Sequence, residues 1–348
     1  MAEFTVAAGM ARGMMDYAAS KGADAKALAA RSGIDRQDLA DQDNRIPLVK
    51  YQALMLAAKD LARDPAFALH FGEAIDLSEM SVVGLIGRAS QTMLEAFMQL
   101  NRYGRLVVEV DLGTPDRFQL APGDGGLWLI DTRRHPNDFP ELTESTMARV
   151  SCGCLRMVLD SGWTGERPTV KAAHFTHADP GYRGEYERIF GAAVVFEADR
   201  NAILVDANWP AHKLAAQPRY VFGVLSRHAD ALLKSLEGSK TTRGQVECLL
   251  LPILHTGDAG KDAIAGKLGM SSDTLLRRLK TEGATFETVL DELRHKMALH
   301  YLDGKKVSVN ETAYLVGFSE TAAFSRAFKR WTGTSPRKRL KPSDSGDT

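Results

Sequence analysis

Cysteine is scarce. Cys152, Cys154 and Cys248 are the only three in 348 residues, too few and too clustered for a disulfide framework, and the C-x-C pair has no further cysteines to complete a zinc site. Three reduced thiols are expected. No apolar run approaches the roughly 18 residues that span a bilayer. The opening MAEFTVAAGMARGMMDYAAS has no basic segment followed by an unbroken apolar one, so no membrane contact and a cytoplasmic location are expected. Catalytic signatures are missing too. GSKTT lacks the residue order of a phosphate loop, no G-x-S-x-G elbow occurs, and no enzyme activity is expected. His174 and His177 have no third ligand at metal spacing, so neither a metal nor a cofactor is expected. Net charge is zero, with 44 Lys and Arg against 44 Asp and Glu, but its distribution is uneven. From Lys261 to the end there are 16 Lys and Arg against 11 Asp and Glu, which leaves 28 against 33 in residues 1–260. A basic excess at the C-terminus permits a nucleic-acid partner without demanding one.

The rest of the composition is ordinary for a globular chain, and the length suffices for two domains with separate cores. Residues 1 to about 105 read as helical, with Leu54, Ala57, Ala58 and Leu61 on one face, breaks at KGAD and DQDN, and no strand signal. Met10, Met14 and Met15 read as core packing. From Leu106 the apolar period shortens. LVVEV, RFQL and GLWLI, separated by DLGTPD and APGDGG, predict a small antiparallel meander. A helix over about Leu142 to Leu159 carries Met147, Val150, Cys154, Met157 and Val158 on its apolar side. TVKAAHF, AAVVFEA and NAILVDA add strands around a short helix at YERIF, and a last helix runs from about Arg219 to Leu236. Strands interleaved with long helices predict an α+β domain rather than an all-β barrel. The polar stretch GSKTTRG then marks a boundary. The expected organisation is a regulatory domain over 1–237, a linker over 238–244, an all-α domain over 245–340 and a disordered tail over 341–348.

The all-α part contains one internal repeat. LGMSSDTLLRRLK (Leu268 to Lys280) and VGFSETAAFSRAFK (Val316 to Lys329) share a turn glycine, a serine and then Arg-x-apolar-Lys. Gly269 and Gly317 differ by 48 positions but Arg277 and Arg326 by 49, so the second turn carries an extra residue. Each copy predicts a short helix (Ala263 to Leu268; Val309 to Val316), a tight glycine turn and a second helix capped by Ser271 or Ser272, and by Ser319. Leu275 and Leu279, like Phe324 and Phe328, are four apart and must face a core. The outward faces then offer Asp273, Thr274 and Arg277, and Thr321, Ala322, Ser325 and Arg326, to base edges in a major groove. Small residues let a helix approach, and Arg can bond guanine with two parallel donors. Ser272, Arg278, Lys280, Ser319, Lys329, Arg330 and Arg337 are placed against phosphates. Between the copies, Phe286, Val289, Leu290, Leu293 and Met297 predict one linker helix of about 16 residues ending at Gly304. At about 24 Å, it is long enough to hold two reading helices roughly 34 Å apart, one DNA turn.

Asp262 to Leu340 resembles the DNA-binding domain of the AraC/XylS family of transcription regulators, most specifically in ETAYLVGFSE followed by FSRAFKRWTGTSP. Thr312 stands where the family usually has Ile, and Asp273 where it often has Arg. RSGIDRQDLADQDNRIPLVKY and YERIFGAAVVFEADRNAILVDANW resemble the regulatory domain of AraC-type proteins grouped with ornithine and arginine utilisation regulators, a domain called arabinose-binding-like. The resemblance implies a sequence-specific regulator of promoter DNA that senses a small-molecule effector, works as an activator with RNA polymerase and forms a homodimer. It names no effector-binding residue. The other reading left open is an effector-independent architectural DNA-binding protein.

Overall fold

Strands β1 (Thr5–Ala7) and β2 (Arg45–Pro47) pair antiparallel, Thr5 against Pro47, within a stretch whose pattern predicts helices alone. Three-residue strands are too short to display a period of two, and a side chain fastens them. The Arg45 guanidinium donates to the Thr5 hydroxyl and carbonyl, each at 2.9 Å, and to the Leu106 and Arg105 carbonyls. The computed structural model describes residues 4–35, 37–162, 170–214, 217–256, 260–303 and 307–340. The expected tail over 341–348 and the expected helix end at Gly304 lie outside the described residues. The chain divides into two compact units, Met1–Leu233 and Lys234–Thr348.

In the first unit, α1 (Ala8–Ser20), α2 (Ala25–Ser32), α3 (Leu48–Leu61), α4 (Phe67–Ala74), α5 (Val82–Arg88) and α6 (Met93–Val107) precede the main sheet. Met10 and Met14 are buried, as core packing requires. The strand expected at LVVEV is not there. Leu106 and Val107 end α6, buried on the same side as Tyr103, and Val108 makes only an isolated bridge to Val6. A short apolar run at the end of an amphipathic helix reads equally as either element.

The remaining strands follow the expected order: β3 (Phe118–Gly123), β4 (Gly126–Asp131), the long helix α7 (Pro140–Asp160), β5 (Ala172–His174), α8 (Arg183–Phe190), β6 (Ala193–Val195) and β7 (Asn201–Asp206). They form one five-stranded sheet, β3-β4-β7-β5-β6, antiparallel except for the β5–β6 pair. The two-residue Asp124–Gly125 loop closes the first hairpin, a turn chemistry matched to strand twist. Helix α7 packs Met147, Ala148, Val150 and Val158 against Leu129, Ile203 and Val205 of the sheet. It also buries Thr143, Glu144, Thr146 and Arg149. Glu144 accepts from Tyr182 at 2.8 Å and Tyr186 at 2.5 Å, and burial pushes its carboxyl above the usual range despite those donors. Helices α4 and α8 are tied by His70, whose ring lies 2.6 Å from Asp64 and 2.9 Å from Glu185, and by Arg188, which donates to both Glu73 oxygens.

Helix α9 (Arg219–Gly238) runs through the division between units, and the second unit is helical throughout its described residues: α10 (Thr242–Leu250), α11 (Lys261–Lys267), α12 (Ser272–Thr281), α13 (Phe286–Asp303), α14 (Val309–Leu315), α15 (Thr321–Thr332) and α16 (Pro336–Leu340). Its core is one cluster that joins Leu275 and Leu279 of α12, Phe324 and Phe328 of α15 and the α13 stripe from Phe286 to Leu302. Carboxylate Glu282 accepts from the first N–H groups of α10 at 2.8 and 2.9 Å. Burial opposes its ionisation, but those donors prevail and hold it below the usual range. Thr312 sits fully buried in α14, its hydroxyl donating to the Ser308 carbonyl at 2.8 Å, so this departure from Ile leaves no polar group unsatisfied.

Two outcomes follow from these contacts. Burial disfavours the charged form of His70, but the bonds to Asp64 and Glu185 and their charges outweigh it and raise its pKa. A raised folded pKa gives stabilisation that is fully present below the unfolded value of about 6.5 and is lost as pH rises through the folded value. The unfolding midpoint of the N-terminal unit should therefore exceed that of His70→Gln at pH 6, with the gap shrinking on the alkaline side; a gap that grows with pH contradicts the assignment. In the second unit Gly269 and Gly317 both adopt positive φ, 66° and 79°. A Cβ on Gly269 would meet nothing within 4 Å, whereas one on Gly317 would lie 2.2 Å from the Leu254 carbonyl oxygen. Gly269→Ala should cost about 1–2 kcal/mol of left-handed strain and Gly317→Ala clearly more in chemical denaturation; equal losses would contradict the clash.

Candidate nucleic-acid interface

Each copy of the repeat folds as two helices around its glycine turn. In the first, Ser271 is the N-cap of α12 and its hydroxyl accepts from the Thr274 N–H. Ser272 is the first helical residue, and its hydroxyl donates to the Asp262 carboxylate on α11. Of the two serines offered as caps, Ser271 is the one that serves. In the second copy the extra turn residue moves the boundary on by one. Glu320 occupies the N-cap position of α15 without a side-chain cap bond, which leaves Ser319 exposed outside the helix. The expected Ser319 cap is thus absent, because a hydroxyl one residue too early cannot reach the free N–H groups. Helix α14 is the better capped, with Ser308 and Glu311 satisfying each other's backbone N–H groups.

The outward faces are as the spacing implied. Leu275, Leu279, Phe324 and Phe328 are all at 0% exposure, so the opposite face of each helix is turned to solvent. On α12, Asp273, Arg277, Arg278 and Lys280 are exposed, and Thr274 is half-buried with its hydroxyl 2.9 Å from that of Ser271. On α15, Ala322, Arg326, Lys329 and Arg330 are exposed, while Thr321 and Ser325 are half-buried. Arg337 is exposed on α16. Among the described residues no ion pair or hydrogen bond engages the charged side chain of Arg277, Arg278, Lys280, Arg326 or Lys329. Arg330 differs, lying 2.6 Å from Asp291 of α13, so part of its charge is already answered.

The linker helix connects the copies through specific contacts. At 18 residues, α13 is about 27 Å long. Its Arg294 donates to the Gly317 carbonyl at 3.1 Å and lies over the Phe318 ring, which attaches it to the second turn. His295 stacks on Trp331 at 5.4 Å between centroids. Arg339 closes α16 onto the end of α13 by two bonds to Asp303, at 2.8 and 3.0 Å.

Groups noted for other chemistry are occupied by packing. His177 is buried, with Nδ1 donating to the Ala178 carbonyl, and the His174 ring lies tilted against Trp128 at 4.5 Å between centroids, where burial and Arg200 hold its pKa down. Among the described residues no three His, Cys, Asp or Glu are grouped so as to hold a metal ion. Burial pushes the Cys154 thiol up to about 12. No described helix is long and apolar enough to cross a membrane. What the sequence did not reveal is in the N-terminal unit, where Arg117 and Arg149 lie buried side by side. Arg149 falls between buried Ala148 and Val150 along α7, and an arginine between two apolar residues is the only mark it leaves in the sequence.

Comparison with known proteins agrees with both halves of the chain. Residues 22–214, more than half of it, match the model for the arabinose-binding domain of AraC transcription regulator, N-terminal, and residues 264–341 match a helix-turn-helix domain. The chain is 25% identical over 330 residues to the ornithine utilization regulator of Pseudomonas aeruginosa, covering 94% of this chain and 93% of that one. Over 77 residues it is 40% identical to the HTH-type transcriptional activator RhaS of Escherichia coli, 22% of this chain and 28% of that protein. The crystal structure of transcriptional regulator CdpR from Pseudomonas aeruginosa aligns over 90% of this chain and 96% of its own, at 21% identity and a TM-score of 0.40. An α+β unit of the arabinose-binding kind, followed by a helical unit with two helix-turn-helix copies, places this chain in the AraC family of transcription regulators.

Proposed function

We propose that this regulator is a small-molecule-responsive activator that binds promoter DNA with two reading helices, acts on RNA polymerase as a homodimer in the cytoplasm, and has no enzymatic activity. The observation that carries the reading is the pairing of two fully buried apolar residues on each of α12 and α15 with unpartnered cations on the opposite face. Buried anchors hold the helix while free cations await a polyanion. In this reading Asp273, Thr274, Arg277, Thr321, Ala322, Ser325 and Arg326 meet base edges. Ser272, Arg278, Lys280, Ser319, Lys329, Arg330 and Arg337 meet phosphates. Asp273 is repelled by phosphates but can accept from cytosine N4. Activation rather than repression is supported by the name of the Escherichia coli relative. A purely architectural binder would show little sequence preference and no response to any small molecule.

Binding-site selection with single variants tests the docking. Arg277→Ala and Arg326→Ala should each cost roughly 1–3 kcal/mol on the specific site and relax base preference at one position, in separate half-sites. Lys280→Ala and Lys329→Ala should weaken all sequences about equally and lower the salt slope by about one. Arg330→Ala should lower that slope by less than Lys329→Ala, because Asp291 already holds its guanidinium. If Arg326→Ala leaves base preference unchanged, α15 does not read the groove.

A further inference from the structure

A cavity of about 110 Å³ opens among α5, α6, α7 and the sheet of the N-terminal unit. For scale, an apolar cavity of about 150 Å³ admits a benzene ring. Its walls are mostly apolar, with Met93, Phe97, Leu100, Met157 and Trp209 among them. Gly104 of α6 also lines it, and although this residue is buried, a Cβ built on it would meet nothing within 4 Å. Empty space therefore lies directly in front of its backbone.

The charged groups lining this cavity are not balanced. Asp76 and Arg88 pair at 2.5 Å, and Arg156 donates to the Glu73 and Ile75 carbonyls. Arg117 and Arg149 have no comparable partners, though they are only 7% and 8% exposed. Each guanidinium offers roughly five N–H donors. The two converge on one acceptor, the Thr146 hydroxyl, at 3.3 and 3.4 Å, both long for a hydrogen bond. The Arg117 Nε has no acceptor at all, and a terminal nitrogen of the same guanidinium reaches Asp131 only at 3.6 Å. Burial depresses the Arg149 pKa to about 10; Tyr51 opposes this, the nearby Arg117 adds to it, and Asp131 gives the smallest support. Arg133, close by, donates through one terminal nitrogen to the Pro136 and Phe139 carbonyls and the Thr143 hydroxyl, while its Nε has no acceptor. Two buried cations thus share one carboxylate beside an apolar void. An uncompensated buried charge is costly, and an anion entering the cavity would relieve it with two forked donors.

We propose that this cavity binds an organic carboxylate with a compact apolar body, the carboxylate held by Arg117 and Arg149 and the body lying against Phe97, Leu100 and Met157. The inference rests on the reading of the N-terminal unit as the effector-sensing part and gives the effector a chemical class.

The test is calorimetric titration of the full chain with acetate, butanoate, hexanoate and octanoate, the matching primary alcohols and inorganic phosphate, with DNA affinity measured separately. One of the longer carboxylates should bind about tenfold or more tightly than its alcohol and than phosphate, with an optimum where the apolar body fills the cavity. Arg149→Met should lose about tenfold or more of that binding while its unfolding temperature stays level or rises, since a buried cation has been replaced by an apolar chain of similar length. A purely structural arginine would lower it. Gly104→Leu, which fills the void and gains helix propensity, should remain folded and bind none of the series, so the test holds even if Arg149→Met fails to fold. Alcohols binding as tightly as carboxylates, phosphate binding alone, or undiminished binding by Gly104→Leu would overturn the proposal. Carboxylate binding without any change in DNA affinity upholds the site and defeats the responsive-regulator reading. No carboxylate binding, together with a DNA response to some other metabolite that survives in both variants, overturns the site and leaves the responsive-regulator reading standing.

Discussion

Both helix-turn-helix copies are built on a single apolar core, and the rest of the C-terminal unit depends on that sharing. Leu275, Leu279, Phe324 and Phe328 meet the buried stripe of α13 in one cluster, so α12 and α15 cannot rotate about their own axes independently. Fully burying each such side chain is worth about 1.5–3 kcal/mol, whereas an exposed pair such as Arg330 with Asp291 contributes about 0–1 kcal/mol. Packing therefore decides which residues face outward. The basic residues stand where they do because the opposite positions are taken by Leu and Phe.

The same division of labour holds in the N-terminal unit, with a difference. Helix α7 supplies the apolar contacts to the sheet through Met147, Val150 and Val158 and also carries Glu144, Thr146 and Arg149 into the interior. Glu144 finds two tyrosines; Arg149 finds only a shared hydroxyl. Polar groups cost least in an interior when they are fully satisfied; Glu144 takes both tyrosines on Oε1 and leaves Oε2 without a partner, so neither group is closed, but of the two only Arg149 lines the cavity.

How far the sequence revealed this depended on the length scale of each signal. The repeat, the linker stripe and the buried pairs Leu275/Leu279 and Phe324/Phe328 were legible because helical periodicity recurs over several turns. Strands β1 and β2 were not, since three residues show no alternation, and the run at Leu106 was misread because the end of an amphipathic helix and a short strand present the same apolar letters. Ser319 misled for a finer reason: the extra residue in the second turn was visible as a change in spacing, but its effect on the cap depends on where the helix starts. The residues proposed to face DNA needed only one helix each to be named. The Arg117 and Arg149 pair needed two segments brought together by tertiary packing, and a single sequence records no such distance.

The central claim, that one rigid core presents two reading helices to successive turns of one DNA face, is tested most directly by hydroxyl-radical footprinting of the full chain on its own upstream DNA. Two protected patches about ten base pairs apart on the same face of the duplex are expected, both lost when Arg277 and Arg326 are replaced together. A single patch, or two patches on opposite faces, would contradict it.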